Sequence, residues 1–320
     1  MRVLLTGATG FVGRALLERL VAMPNVEPIA ALRRPAAELL IRVASVQVAG
    51  LGKETEWQSA LEGSQVVIHA AARVHVMHET VSDSLTEFRR VNVEGTLNLA
   101  RQSAEAGVRR FIFISSIKVN GEGTQLGTPY SADHEATPAD PYGISKLEAE
   151  RGLRALVAET GMEVVIIRPP LVYGPGVKAN FLSMMRWLKK GVPLPLGAIH
   201  NRRSLVALDN LVDLIVTCID HPAAANQTFL VSDGEDLSTS QLLRRMGQAL
   251  GRPARLLPIP AWMLESAATL LGKKAVAQRL CGSLQVDIGK TRELLGWTPP
   301  ISVDEALRKT AEHFLQHRTQ

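Results

Sequence analysis

Residues 2–13 read Arg2-Val3-Leu4-Leu5-Thr6-Gly7-Ala8-Thr9-Gly10-Phe11-Val12-Gly13. The opening apolar run is the kind that fills a buried strand. Gly7, Gly10 and Gly13 follow, and then RALLERLVA, which has helix-forming composition. A glycine-rich turn between a strand and a helix is a phosphate cradle. Its backbone N–H groups and the positive helix end face an anion, and glycine lets the backbone come close. Three glycines alone say little. Strand, turn and helix in this order at the head of the chain point to a dinucleotide site and an α/β fold.

Outward from that turn, a second strand, Pro28 to Leu32, ends in Arg33-Arg34. An acidic residue at this strand end holds the ribose hydroxyls of NAD; an arginine suits the 2′-phosphate of NADP. Positions 30–37 contain no Asp or Glu. NADPH is the expected cofactor and NAD the alternative. Two solvated loop arginines would be the bland explanation. A strand near Val46-Gln47-Val48 leads to Gly50-Leu51-Gly52 and a helix near Trp57–Leu61. Strand four, Gln65 to His69, runs into Ala70, Ala71, Ala72 and Arg73, small residues that let the chain pass close to a cofactor. His69 reads as a packed strand residue. His75, His78 and Glu79 follow in a loop, but their spacing fits no standard metal site, and no metal is expected. A long helix is predicted over 84–106, with Asn92 as a buried polar link.

Strand five, Arg110 to Ile114, leads to Ser115-Ser116. Functional residues of a parallel sheet gather at the carboxyl ends of its strands, so Ser116 is placed to meet Tyr142. The stretch Tyr142-Gly143-Ile144-Ser145-Lys146 lies just after Pro138 and Pro141, where a helix would begin. Four residues apart on a helix, Tyr142 and Lys146 leave one face. A nearby cation favours the phenolate, so Lys146 is expected to pull the tyrosine toward neutrality. Taken alone, the spacing also suits an ordinary surface helix. The polar loop from Glu122 to Asp140 is expected to border the site. Strand six, Val164 to Ile167, precedes RPPLVYGP, and after Gly174 the βαβ rhythm breaks.

The chain has 320 residues, a formal charge of +5, and only two cysteines, Cys218 and Cys281. The basic pairs are scattered, so the excess reads as anion sites on a mildly basic surface and excludes a nucleic-acid footprint. No disulfide framework is implied. No signal segment precedes the first strand and no apolar run would span a bilayer. A cytoplasmic enzyme without an integral membrane segment is expected.

TGATGFVG, VIHAAA, VNVEGTLNL, FIFISS, YGISK, RPPLVYGPG, RSLVALDNLVD and ELLGW together resemble the extended short-chain dehydrogenase/reductases, in the branch of the UDP-hexose 4-epimerases. The resemblance spans essentially the whole chain. It implies a Rossmann doubly wound parallel sheet with a smaller, mostly helical C-terminal substrate domain. The expected boundaries are 1–173, with 203–235 returning to it, and 174–202 plus 236–320. It implies Tyr142 as acid/base, Lys146 beside it and on the nicotinamide ribose, and Ser116 on the substrate oxygen. The expected cofactor set is Gly7, Thr9, Gly10, Phe11, Val12, Gly13, Arg33, Arg34, Leu51, Ala70, Ala71, Ala72, Asn92, Ile114, Tyr142, Lys146, Pro169 and Val172. The expected UDP-sugar set is Arg73, Ser116, Lys118, Tyr142, Asn180, Arg203 and Arg279. A homodimer pairing helix 84–106 with the Tyr142 helix is also implied.

Departures from the family pattern narrow the activity. Ile117-Lys118 stands where the family's dehydratases carry Asp-Glu, which argues against dehydration. Arg33-Arg34 replaces the epimerases' acidic residue, and Gly50-Leu51-Gly52 replaces an adenine-contacting Asp. AARVHVMHE and SSIKVNG look like bacterial reductases of UDP-4-keto-6-deoxy-N-acetylhexosamine, which make sugars such as UDP-N-acetylquinovosamine for surface polysaccharide such as O-antigen. The sequence therefore leads with an NADPH-dependent 4-keto reductase. The alternative is an NAD-dependent UDP-hexose or UDP-N-acetylhexosamine 4-epimerase. A non-catalytic dinucleotide sensor of the same fold is disfavoured by the intact Ser116, Tyr142 and Lys146.

Overall fold

A computed structural model describes residues 1–36, 43–74 and 84–317. His75, His78 and Glu79 lie outside these residues. Seven parallel strands form the main sheet: β1 (Arg2–Thr6), β2 (Glu27–Leu32), β3 (Ala44–Gln47), β4 (Val66–His69), β5 (Arg110–Ile114), β6 (Glu163–Arg168) and β9 (Thr228–Leu230). Their order is β3-β2-β1-β4-β5-β6-β9, so the direction of winding reverses between β1 and β4. That crevice is where a doubly wound sheet binds its ligand.

Alternation along each strand feeds two cores. Val3, Leu5, Ile112, Val165 and Ile167 enter one cluster; Leu4, Phe111, Phe113, Val164 and Ile166 enter the other. Both faces are covered by helices, which is why these strands are apolar without a break. The first face carries α1 (Phe11–Val21) and α7 (Leu208–Thr217); the second carries α2 (Gln58–Leu61), α4 (Gly95–Glu105) and α5 (Pro141–Thr160). The helix predicted over 84–106 begins as α3 (Ser84–Phe88), passes through a π-helical stretch at Arg89–Glu94, and continues as α4.

After β6 the chain starts a second sheet, ordered β10-β8-β7, from β7 (Leu171–Tyr173), β8 (Arg203–Ala207) and β10 (Asp236–Leu237). Leu205 and Ala207 of β8 face a third core, whereas Val206 faces the first, so β8 ties the two sheets together. The third core is closed by α6 (Ala179–Lys190), α8 (Thr239–Ala249) and α12 (Val303–Gln316). Between them run α9 (Ala261–Leu270), α10 (Lys274–Cys281) and α11 (Gly289–Leu295). Among the described residues, no helix is long and apolar enough to cross a membrane, and no cluster of His, Cys, Asp and Glu is able to hold a metal ion.

Candidate active site

The glycine turn closes tightly on the exit of β4. Gly7 has φ +77°, and a Cβ there would stand 2.7 Å from the Ala71 nitrogen. A Cβ on Gly13 would stand 2.0 Å from the Gly7 carbonyl oxygen. Gly10 caps α1 without any side chain to accept from its first-turn N–H groups, which leaves them for an outside anion. Thr9 and Gly10 are exposed, and Phe11 and Val12 half-buried, beside half-buried Ala70, Ala71 and Ala72. This cradle, with no Cβ at Gly7, Gly10 or Gly13 and set at the reversal of strand order, fits the diphosphate of a nicotinamide dinucleotide.

Arg33 and Arg34 are exposed just past β2. Gly50 has φ +153°, and a Cβ there would lie 4.0 Å from the Arg33 Cδ, so the ends of β2 and β3 meet at this arginine. Leu51 is half-buried and supports α4, where a Cβ on Gly95 would come 2.9 Å from its carbonyl carbon.

The catalytic candidates converge where β5 ends and α5 begins. Asp140 caps α5, its Oδ1 accepting from the Gly143 N–H at 2.6 Å, and Pro141 follows as the first helical residue. Lys146 is buried; its Nζ donates to the Ile114 carbonyl at 2.8 Å, and stands 4.4 Å from the Phe113 ring centroid and 5.9 Å from that of Tyr142. The Tyr142 ring meets Phe88 edge-on at 5.9 Å. Ser116 Oγ accepts from the Lys118 N–H at 3.3 Å. Pro169 is buried and Val172 half-buried on the neighbouring turn.

The electrostatics differ from the expectation. Burial, and secondarily the Asp140 carboxylate, push the Tyr142 phenol up from its ordinary value. Burial also brings Lys146 down to about 7, against an opposing pull from Glu150. Burial is the leading cause at both groups, and at Tyr142 it acts in the direction opposite to the one expected from Lys146.

One buried charged residue beside the site, Glu150, was missed in the sequence, whereas Lys118 and Asn92 were named there. Glu150, one turn beyond Lys146, is fully buried and accepts from Ser115 Oγ at 2.6 Å and from Arg168 at 2.9 and 2.6 Å. Its i,i+4 spacing from Lys146 was the available signal. Lys118 is ion-paired with Asp140 and, at 3.3 Å, with Glu122. Asn92, buried as expected, exchanges two bonds with the Arg73 backbone at 2.8 and 3.0 Å and donates to Ser145 Oγ at 3.1 Å. It thereby fastens the start of the Arg73 loop to α5.

The sugar-side candidates are more dispersed. Asn180 is exposed in the first turn of α6, and Arg279 is exposed on α10. Arg203 is half-buried and donates to the Gly282 carbonyl at 3.0 Å, just past the helix that carries Arg279. The loop bordering Ser116 is pinned from far along the chain. Thr124 N donates to Ser283 O and Tyr130 N to Gln285 O, both at 2.9 Å; Asp287 N returns a bond to Tyr130 O at 2.8 Å.

Fold and site together define a nicotinamide-dependent enzyme of the extended short-chain dehydrogenase/reductase type. Residues 3–232 match the NAD dependent epimerase/dehydratase family, and the chain belongs to that family. The UDP-glucose 4-epimerase of Vibrio cholerae is 50% identical over 318 residues, spanning 98% of this chain and 95% of that protein. Among solved structures, the UDP-glucose 4-epimerase of Thermotoga maritima with UDP-glucose superposes with a TM-score of 0.78 at 22% identity, covering 99% and 100% of the two chains. RMD from Pseudomonas aeruginosa, complexed with NADPH, gives 0.75 at 21%, covering 98% and 99%.

Proposed function

We propose that this protein is a UDP-hexose or UDP-N-acetylhexosamine 4-epimerase. The observation that carries this reading is the 50% identity, over nearly the whole chain, to a UDP-glucose 4-epimerase. It reverses the order of the two activities argued from the sequence. Tyr142 would take and return the proton on the sugar C4 oxygen, and Ser116 would hold that oxygen. Lys146, fixed by Ile114, would hold the nicotinamide ribose. A bound nicotinamide supplies the hydride acceptor and donor. The cradle of Gly7, Gly10 and Gly13 would take the diphosphate of the cofactor, and Asn180, Arg203 and Arg279 that of the UDP-sugar. Residues 1–173 and 203–235 would form the dinucleotide half, and 174–202 with 236–320 the sugar half.

One observation favours a second reading, an NADPH-dependent 4-keto reductase. Exposed Arg33 and Arg34 follow β2, with no acidic residue between positions 30 and 37. An epimerase returns the hydride to the same sugar and regenerates its cofactor, whereas a reductase ends each turnover oxidised. The purified protein is incubated with UDP-glucose, UDP-galactose and their N-acetylated forms, with no added cofactor. Interconversion, with nicotinamide dinucleotide co-purifying, is expected. No interconversion, coupled with stoichiometric NADPH oxidation on a UDP-4-keto-6-deoxy-N-acetylhexosamine, would replace this reading with the second. In that case Arg33→Asp weakens NADPH at least ~10-fold more than NADH, through loss of a charge-assisted pair.

A further inference from the structure

The hairpin of α9 and α10 has a surface unlike the rest of the molecule. No residue of α9 is buried. Leu270 is 89% exposed, Leu271 72% and Trp262 66%. Met263, Ala267 and Leu270 recur at helical spacing and form one outward stripe, with Trp262 and Leu271 at its margins. The half-buried Ala261, Leu264 and Ala268 lie on the other side, toward the protein. A helix on a protein in water carries its apolar stripe inward; α9 carries a second one outward.

The stretch of chain that leads into this stripe and past it is one-sided in charge, with Lys273 and Lys274 next to the stripe and Arg252 turned back to the Lys189 carbonyl. Residues 251–281 contain five basic side chains, Arg252, Arg255, Lys273, Lys274 and Arg279, and one acidic, Glu265, a difference of +4. The whole chain is +5, so nearly all of the net charge sits on this strip. All five basic residues are exposed, and Lys273 and Lys274 follow the turn made by Gly272 at φ +67°.

We propose that the α9–α10 hairpin is an interfacial anchor that lays Trp262, Met263, Leu270 and Leu271 into the surface of an anionic lipid bilayer. An outward apolar stripe, a tryptophan at its border and flanking lysines are what a helix lying in the membrane interface requires. Clustered cations next to it are attracted to acidic headgroups. At about 15 Å, α9 is too short to span a bilayer and lies along it. A second copy of the chain is the poorer occupant, because a two-fold contact through the hairpin, whose residues 261–281 carry three basic side chains and one acidic, would set like charge against like charge. The anchor is tied to the sugar-side elements: Asn201 Nδ2 and Thr239 Oγ1 both donate to the Leu280 carbonyl, at 3.2 and 2.6 Å.

The test is flotation of the full-length protein with vesicles of equimolar phosphatidylcholine and phosphatidylglycerol, against phosphatidylcholine alone. The wild type is expected to float with the anionic vesicles, with partitioning ~10-fold weaker on neutral vesicles and falling as salt is raised. Leu270→Glu/Leu271→Glu and Lys273→Glu/Lys274→Glu are each expected to lower partitioning ~10-fold or more, with unchanged circular dichroism, since the altered side chains are surface-exposed. Wild type that ignores anionic vesicles overturns the proposal, as does binding unaffected by the leucine pair. Self-association without vesicle binding, abolished by the leucine pair, assigns the face to a second copy and overturns it equally.

Discussion

The proposed phosphate cradle and the proposed sugar-side residues would serve one site but are made of different material. The cradle is backbone: Gly7 and Gly13 stand where any Cβ would collide with main-chain atoms. The sugar side is side chain: Asn180 and Arg279 stand exposed on separate helices, and Arg203 reaches a backbone carbonyl. Main-chain geometry cannot be retuned by substitution, whereas long exposed side chains can.

The largest expected effect lies between the two regions. Tyr142→Phe keeps the ring against Phe88 but removes the hydroxyl, so turnover should fall ~10²–10⁴-fold with cofactor binding intact. A near-normal rate would remove the catalytic assignment from both halves. In the cradle, Gly13→Ala forces a Cβ onto the Gly7 carbonyl. Stability should fall by ~1–3 kcal/mol from overpacking, with weaker binding of nicotinamide dinucleotide in titration. Arg279→Ala on the sugar side should raise KM ~10-fold with kcat nearly unchanged, the mark of uniform binding. If it instead lowered kcat as much as Tyr142→Phe does, the contrast between the halves would collapse.

The smallest effect concerns His69, under the cradle. It lies between Thr6 and Thr96, at 2.7 and 2.9 Å from their hydroxyls. Burial, then the nearby Lys146, lower its pKa from 6.5 to about 3. The unfolded chain gains this proton near 6.5 and the folded chain only near 3. Stability therefore falls as pH drops through that window and is insensitive to His69 above it. His69→Leu should flatten the acid limb of a melting-temperature profile, while costing ~1–3 kcal/mol at pH 8 through the two hydroxyls left without their partner.

The cradle, the sheet and the helix after Pro141 were legible because each rests on local pattern: unbroken apolar runs for the strands, glycines at a strand–helix junction, and a proline at the first helical turn. What escaped depends on partners far apart in the chain. The pairing of Lys118 with Asp140 spans 22 positions, and the bond from Gly127 N to Gln285 Oε1 spans 158. The tyrosine was read from its cationic neighbour, but desolvation is a property of the assembled core and no spacing reveals it. Glu150 was hidden in plain helical composition, although it stood one turn from Lys146. The π-helical stretch around Asn92 left no mark that residue propensities record.

The bonds between the 124–130 loop and residues 283–287 also bear on how the protein is made. Ser116, Tyr142 and Lys146 precede residues 283–287 by more than 130 positions, and the strands around them need only Thr228–Leu230 to finish the main sheet. The 124–130 loop after Ser116, however, gains its bonds to Ser283, Gln285 and Asp287 only when those residues arrive, whereas the following stretch is already held by Asn120 and Arg168. A nascent or truncated chain that stops short of them owns every proposed catalytic group but lacks the clasp on the loop that follows Ser116. That clasp forms only after the strands of the main sheet have all been made.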